Sequence, residues 1–257
     1  MRGVGISLLC FACNNGGLAA TPPAPAPREA ASVSASSSAA RDEGPIRMEQ
    51  LKSDEGPAMF VMRGGPRGPG RLVFLHGMCG HGLGYAQSFQ FSAARVGTLI
   101  APQGDVSCGG VWSKWSGDVT ELDRRIVAAF RALGHAEPID DVLVAGMSQG
   151  ATRAVDLVRR FPERYTRLIA MAAPTSIAAG QLKGLRGAVM MAGERDRRDL
   201  MRQSERALQY AGVPVKFLLI PEATHGAMGP TPERTMGEAF DFLRASSKPS
   251  PSAADAH

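Results

Sequence analysis

The chain has 257 residues, of which 44% are hydrophobic and 21% are charged, as is typical of a soluble globular protein. Its formal net charge is +5, but the basic residues are scattered and form no stripe interleaved with aromatic residues, which argues against a nucleic-acid-binding protein. The length allows one or two domains, and the low-complexity ends favour one folded domain of about 200 residues.

The N-terminal segment, residues 1–20, has the features of a short export signal. One positive charge at Arg2 precedes an apolar run from Val4 to Ala12, which is too short to cross a bilayer as a helix. We therefore expect an exported protein that is periplasmic, secreted, or held at a membrane by a lipid on Cys13. If the segment is not a signal, the expected location is cytoplasmic. Cleavage after Ala12 and cleavage after Ala20 both stay open.

The segment 21–45 is rich in Ala, Pro and Ser and contains almost no large apolar side chain. Such a segment buries too little surface to offset the entropy lost on ordering, so we predict a disordered linker. The tail 247–257 has a similar composition and is also predicted to be disordered. The catalytic domain is therefore predicted to cover residues 46–246.

Between these ends, apolar runs alternate with helix-like stretches. The predicted strands are Ala58–Met62, Leu72–Leu75, Thr98–Ala101, Val142–Ala145, Leu168–Met171, Ala188–Ala192 and Phe217–Ile220. The predicted helices are Gly84–Ala94, Val119–Leu133, Ala151–Phe161, Leu200–Ala211 and Pro232–Ala245. This alternation predicts an α/β fold, with a mostly parallel, doubly wound sheet flanked by helices. Sites in such sheets form at the carboxyl ends of the strands.

The segment Gly146–Gly150, with the sequence Gly-Met-Ser-Gln-Gly, places a serine between a predicted strand and a predicted helix. A tight strand-to-helix turn needs small residues on both sides of its apex, and it exposes the serine hydroxyl in a strained conformation. The next backbone N–H lies at a helix N-terminus, where it can face a reacting carbonyl. This context predicts that Ser148 is a catalytic nucleophile.

Four motifs in this order resemble the α/β-hydrolase superfamily, and within it the compact carboxylesterases and dienelactone-hydrolase-like enzymes. They are Leu75-His76-Gly77-Met78, Gly146-Met147-Ser148-Gln149-Gly150, Gly193-Glu194-Arg195-Asp196 and Ala223-Thr224-His225-Gly226. The resemblance covers roughly residues 58–244. It implies the α/β-hydrolase fold and a Ser-Asp-His order of catalytic residues.

The resemblance implies a role for each residue of the site. Ser148 attacks, His225 takes its proton, and Asp196 orients the imidazole. The backbone N–H groups of Gln149 and Met78 form the oxyanion hole.

For the acid and for the base of the site, these motifs offer more than one candidate residue. Asp196 lies three residues beyond Gly193, where the resemblance places the acid, with Glu194 and Asp199 as alternatives. His76 belongs to the oxyanion loop, and we expect a structural role for it rather than that of the base.

The rim of the site is expected to contain His81, Trp112 and Trp115, which are candidates for substrate binding. The alternative for the two tryptophans is a hydrophobic plug that fixes their loop.

Cys79 and Cys108 fall in loops at the same end of the predicted sheet and are candidates for a disulfide, the alternative being two free thiols.

No cofactor is expected, because no glycine-rich nucleotide loop precedes a helix, and no metal site is expected, because no His/Cys/Asp cluster has ligand spacing.

The interval Ala172–Arg186 is too short for a cap domain, so we expect an open site.

The sequence therefore predicts a serine hydrolase that cleaves a small carboxylic ester through an acyl-enzyme. A serine at position 148 argues against true dienelactone-hydrolase and dehalogenase chemistry. The alternatives are a peptidase or thioesterase on the same scaffold, an acyltransferase, or a non-catalytic binding module. The natural ester and the oligomeric state are not specified by the sequence.

Overall fold

The structure is a computed structural model that describes residues 46–51, 56–64 and 70–246. The predicted signal segment with Cys13, the whole of the predicted linker and the predicted C-terminal tail lie outside the described residues. Within the described ranges, no helix is both long enough and apolar enough to cross a membrane.

A sheet of eight strands forms the centre of the fold, with a separate two-stranded hairpin beside it. The eight strands are β1 (Met48–Leu51), β2 (Met59–Met62), β3 (Gly70–Leu75), β4 (Gly97–Pro102), β7 (Val142–Met147), β8 (Tyr165–Met171), β9 (Gly187–Gly193) and β10 (Val215–Ile220). Their spatial order is β1-β2-β4-β3-β7-β8-β9-β10, and only the β1–β2 and β2–β4 pairs are antiparallel. The hairpin consists of β5 (Val106–Gly109) and β6 (Trp112–Lys114). The prediction of a mostly parallel sheet is confirmed.

Six helices cover the two faces of the sheet. They are α1 (Gly82–Ser88), α2 (Gln90–Val96), α3 (Val119–Ala132), α4 (Gln149–Arg160), α5 (Asp199–Tyr210) and α6 (Pro232–Ala245). One apolar core lies between the sheet and α3, α4 and α5, and a second lies between the sheet and α1, α2 and α6. Successive strand residues alternate between these cores: Val142 and Val144 belong to the first, and Leu143 and Ala145 to the second. Every inner strand is therefore apolar on both faces.

The predicted helix Gly84–Ala94 is two helices in the structure, and the break falls at Phe89. The Phe89 ring is fully buried between Phe74 and Phe240, with ring centroids 5.4 Å and 6.3 Å away. The Glu233 carboxylate of α6 accepts hydrogen bonds from the first N–H groups of α2, those of Phe91 and Ser92. The residue that caps α2 lies 141 positions away in the chain, so the local sequence pattern could not predict the start of this helix.

The connection between β8 and β9 is short, as the sequence predicts. It contains one turn of 3-10 helix, Ala179–Gln181, and no other helix or strand. Among the described residues, no cap domain is therefore inserted between β8 and β9. The loops after β3, β7, β9 and β10 all emerge at this edge of the sheet, because these strands run parallel to one another.

Candidate active site

Ser148 lies at the apex of the turn between β7 and α4. Its backbone has φ +52° and ψ −116°, a conformation that a non-glycine residue adopts at a strain of about 1–3 kcal/mol. A Cβ on Gly146 would lie 2.3 Å from the carbonyl oxygen of Gly150, and one on Gly150 would lie 2.1 Å from the carbonyl oxygen of Leu75. The two motif glycines are therefore required by close backbone approach, which holds the serine in this turn.

Three side chains form a continuous hydrogen-bonded chain at the edge of the sheet. The Ser148 hydroxyl lies 3.0 Å from Nε2 of His225, and Nδ1 of His225 lies 2.9 Å from Oδ2 of Asp196. With the proton on Nδ1, the imidazole donates to the carboxylate and its Nε2 accepts from the serine hydroxyl. This tautomer can remove the serine proton. The structure thus brings together the three residues that the sequence singles out.

The carboxylate of Asp196 is held by its own loop. Its side chain is 10% exposed, and Oδ1 accepts a hydrogen bond of 2.7 Å from the Arg197 backbone N–H. The alternative acids lie elsewhere: Asp199 pairs with the Arg197 side chain at the surface, and Glu194 accepts the backbone N–H of Glu222. Among the three carboxylates, Asp196 is the one bonded to the histidine.

The loop after β3 lies over the nucleophile. A Cβ placed on Gly77 would be 3.5 Å from the Cβ of Ser148, so the Gly77 backbone passes directly beside the serine. Among the described residues, neither the N–H of Met78 nor that of Gln149, the first residue of α4, donates to a protein acceptor. Two uncommitted backbone donors beside the serine are what an oxyanion requires.

His76 is buried and holds this loop in place. Its Nδ1 lies 2.7 Å from the Gly77 carbonyl, and its Nε2 accepts the Gly104 N–H at 3.0 Å. Burial lowers the pKa of His76 below its ordinary value of 6.5, which favours the neutral ring that can donate at one nitrogen and accept at the other. The ring therefore links the oxyanion loop to the segment that follows β4, which is the structural role expected from the sequence.

Of the two roles left open for Trp115, the structure matches the plug rather than the substrate-binding rim. Its side chain is buried, and Nε1 donates to the His76 carbonyl at 2.8 Å. The Gln149 amide forms a two-point contact with the Trp115 backbone: Oε1 accepts its N–H and Nε2 donates to its carbonyl, both at 3.2 Å. Trp115 is thus the plug that joins the hairpin, the oxyanion loop and the nucleophile turn.

Cys79 and Cys108 form a disulfide, with the sulfur atoms 2.08 Å apart. The bond joins the residue after Met78 to strand β5 of the hairpin. Gly80 and Ser113 add a pair of backbone hydrogen bonds, of 3.1 Å and 3.2 Å, between the same two segments. The oxyanion loop is therefore attached to the hairpin at two successive residues, Cys79 and Gly80.

His81 and Trp112 line an open cleft near the loop that follows His225. The opposite wall is formed by Tyr85, for which no local pattern carries a signal, and by Met228. The Tyr85 hydroxyl donates to the carbonyl of Gly226 at 2.7 Å, 141 residues away in the chain.

A metal centre is not found: the described residues contain no group of three or more His, Cys, Asp or Glu side chains placed to hold a metal ion.

Comparisons with known proteins identify the fold. No protein-family model matches the chain, and no curated protein matches it in sequence. The fluorophosphonate-binding serine hydrolase F of Staphylococcus aureus superposes with a TM-score of 0.61 at 12% identity, over 78% of this chain and 99% of that one. An esterase of Rhizomucor miehei superposes with a TM-score of 0.58 at 15% identity, over 78% of this chain and 83% of that one. A ferulic acid esterase superposes with a TM-score of 0.59 at 14% identity, over 79% of this chain and 98% of that one. The chain has the α/β-hydrolase fold.

Proposed function

We propose that this protein is a serine hydrolase that cleaves carboxylic esters through an acyl-enzyme. The observation that carries the proposal is the unbroken chain from the Ser148 hydroxyl through His225 to Asp196, with distances of 3.0 Å and 2.9 Å. The strained turn at Ser148 supports it, because strain at a nucleophile is retained where the surrounding structure needs it for function.

In the first half of the reaction, the Ser148 oxygen forms a bond to the ester carbonyl carbon as Nε2 of His225 takes the serine proton. The carbonyl oxygen gains the electron pair and is stabilised by the N–H groups of Met78 and Gln149. The bond to the alcohol oxygen then breaks, and the imidazolium returns its proton to that oxygen. Asp196 stabilises the imidazolium throughout.

In the second half, a water molecule takes the place of the alcohol. His225 removes a proton from the water as its oxygen attacks the acyl-enzyme. The Ser148 oxygen leaves with that proton, and the carboxylic acid is released. Because 56% of the His225 side chain is exposed, water can reach the base without a lid movement.

Support for an ester substrate comes from the open site and from the structural neighbours. The neighbours are called a serine hydrolase, fungal esterases and a ferulic acid esterase. At 12–15% identity they share the fold with this chain, and the ester preference is carried over as a proposal.

The proposal is tested by the turnover of p-nitrophenyl acetate and butyrate. We expect Ser148→Ala to lower kcat by about 10⁴-fold or more, because the acyl-enzyme can no longer form. Ser246→Ala is the matched control, since this serine packs near Gly187, where β9 begins, at the opposite edge of the sheet. Equal activity of a correctly folded Ser148→Ala protein and the wild type would contradict the proposal. Matched amide and thioester substrates test the peptidase and thioesterase alternatives.

We also propose that the protein is exported, with residues 1–20 as the signal and Cys13 as a site for lipid attachment. The Cys79–Cys108 disulfide supports export, because such bonds persist in oxidising compartments. Cell fractionation of the full chain and of Cys13→Ser tests both parts. Loss of membrane association in the variant supports lipidation, and a wild-type chain that stays cytoplasmic with its signal intact contradicts export.

A further inference from the structure

A cleft with a volume of about 520 Å³ lies beside the loop that follows His225. One wall comes from His81, Val111 and Trp112, and the other from Tyr85 and Met228. A cavity of about 150 Å³ already holds benzene, so this cleft has room for an aromatic ring and the atoms that connect it to an ester.

The cleft adjoins the two loops that carry residues of the proposed catalytic site. Tyr85 donates its hydroxyl hydrogen to the carbonyl of Gly226, the residue that follows His225, and Met228 lies two residues farther along the same loop. On the other side, His81 ends the oxyanion loop that begins at His76. A group in the cleft therefore lies between the two loops that surround the nucleophile.

The walls of the cleft are mostly apolar and contain no Asp, Glu, Lys or Arg side chain. The hydroxyls of Tyr85 and Ser88 each donate a hydrogen bond of 2.7 Å to a backbone carbonyl, of Gly226 and of Tyr85, so neither donor is directed at a ligand. Trp112 and Val111 are 52% and 64% exposed, although both are large and apolar. Exposed apolar surface of this kind next to a reactive site is typical of ligand binding.

The position of Trp112 is fixed before any ligand binds. Trp112 begins β6, which pairs with β5 in the hairpin that the disulfide joins to the oxyanion loop. Its ring meets the His81 ring edge-on at 6.1 Å, and the His81 ring packs at 4.9 Å from Phe60. An aromatic wall that is already ordered loses little entropy when a flat group stacks on it.

We propose that this cleft binds a planar, uncharged apolar group of the ester, such as an aromatic ring, and that Trp112 is the residue that determines this specificity. The inference rests on the proposed hydrolase function. The ring can belong to the acyl part or to the alcohol part of the ester, and both sources have the same surface chemistry.

Three esters test the proposal and distinguish the two sources. Benzyl acetate and methyl phenylacetate are isomers that carry the ring on the alcohol side and the acyl side, and methyl acetate is the reference without a ring. We expect Trp112→Ala to lower kcat/KM by about tenfold for at least one of the aromatic isomers and by less than about twofold for methyl acetate. Trp112→Phe should retain most of the activity on that isomer. The isomer affected shows which side of the ester enters the cleft.

Phe91→Ala is the matched control, because Phe91 is also a large exposed aromatic residue, at 59%, and does not line this cleft. The proposal is overturned if Trp112→Ala affects all three esters equally, if it affects none of them, or if Phe91→Ala has the same effect.

A binding measurement separates this proposal from the hydrolase function. The chain has two tryptophans, and Trp115 is buried, so quenching by benzyl acetate and by methyl phenylacetate in Ser148→Ala reports on Trp112. Saturable quenching by either ester that disappears in Ser148→Ala/Trp112→Phe supports the cleft assignment even in a chain without turnover. Absence of saturable quenching with both esters overturns it. Wild-type protein that hydrolyses none of the three esters but shows the quenching would count against the hydrolase function alone.

Discussion

At the scale of single residues, the proposed chemistry depends on a backbone group that a side chain holds in place. The N–H of Gln149 is one of the two proposed oxyanion donors, and the amide of the same residue makes the two-point contact with Trp115. The contact joins the first residue of α4 to a segment 34 residues earlier in the chain. One residue therefore supplies a proposed oxyanion donor and, through its side chain, fixes the position of that donor.

Gln149→Met is expected to lower kcat by about tenfold, less than the loss of a whole oxyanion donor, because the N–H remains but is held less firmly. Methionine is similar in length and keeps the helix propensity, so the thermal midpoint should change little. The measurement is kcat and KM for p-nitrophenyl acetate, with KM nearly unchanged. Gln209→Met, an exposed change at the end of α5, is the control. An unchanged kcat in Gln149→Met would show that the amide does not position the donor.

The sequence identified Ser148, His225 and Asp196 because each follows an apolar strand within a recognisable motif. It did not identify the role of the Gln149 side chain, since a variable position inside Gly-x-Ser-x-Gly carries no signal of its own. The role of Trp115 was left open, because a tryptophan in a loop fits a plug and a rim equally well. The roles of Gln149 and Trp115 both depend on where the hairpin packs, and a local sequence pattern carries no information about that packing.

At the scale of elements, the hairpin β5–β6 is the part of the fold that braces the oxyanion loop. The disulfide and the Gly80–Ser113 hydrogen bonds attach it to the residues that follow Met78. Cys79 itself has φ +50°, in the left-handed region that is unfavourable for a residue with a side chain. The cross-link therefore holds a strained loop in position next to the nucleophile.

Replacing both cysteines, in Cys79→Ser/Cys108→Ser, is expected to lower stability and kcat together. The bond closes a sequence separation of 29 residues, for which chain entropy predicts a loss of about 3–4 kcal/mol in the free energy of unfolding. Denaturant unfolding and the hydrolysis of p-nitrophenyl acetate measure the two effects. A thiol reductant should lower the wild-type activity but not that of the double variant. Wild-type activity that is unchanged after verified reduction of the bond would contradict a positioning role.

The sequence predicted the inner elements well, because strands covered on both faces are almost continuously apolar. It missed β1, β5 and β6. The edge strand β1 is mostly exposed, and the hairpin contains Gly109 and Gly110 at positive φ, which resemble a loop. The disulfide that stabilises the hairpin was anticipated only as one of two alternatives, since pairing depends on the three-dimensional fold.

At the scale of the whole molecule, the parallel sheet brings four separate loops to one edge, and the part of the chain that the structure describes contains no cap domain. The loops carry Met78, Ser148, Asp196 and His225, which lie far apart in the chain. The connection between β8 and β9, where many related folds insert a cap, contains only the short turn Ala179–Gln181. We therefore expect dissolved substrates to reach the site without a conformational step.

An open site predicts that the rate does not jump when the substrate forms an interface. Turnover of tributyrin should rise smoothly with concentration and show no increase at its solubility limit, because no lid has to be displaced. A lipase with a known lid, assayed in the same emulsions, is the positive control. A steep rise in rate at the solubility limit would contradict an uncapped, permanently accessible site.

The most direct test of the central claim is the site at which a fluorophosphonate attaches. The reagent phosphonylates a serine only when a neighbouring base activates it, so the adduct identifies the nucleophile without any assumption about the natural ester. We predict a single adduct, mapped by peptide mass spectrometry to Ser148, that is absent from Ser148→Ala and greatly slowed in His225→Ala. A folded wild-type protein that gains no adduct, or gains it at another serine, would contradict the assignment of Ser148 as the catalytic nucleophile.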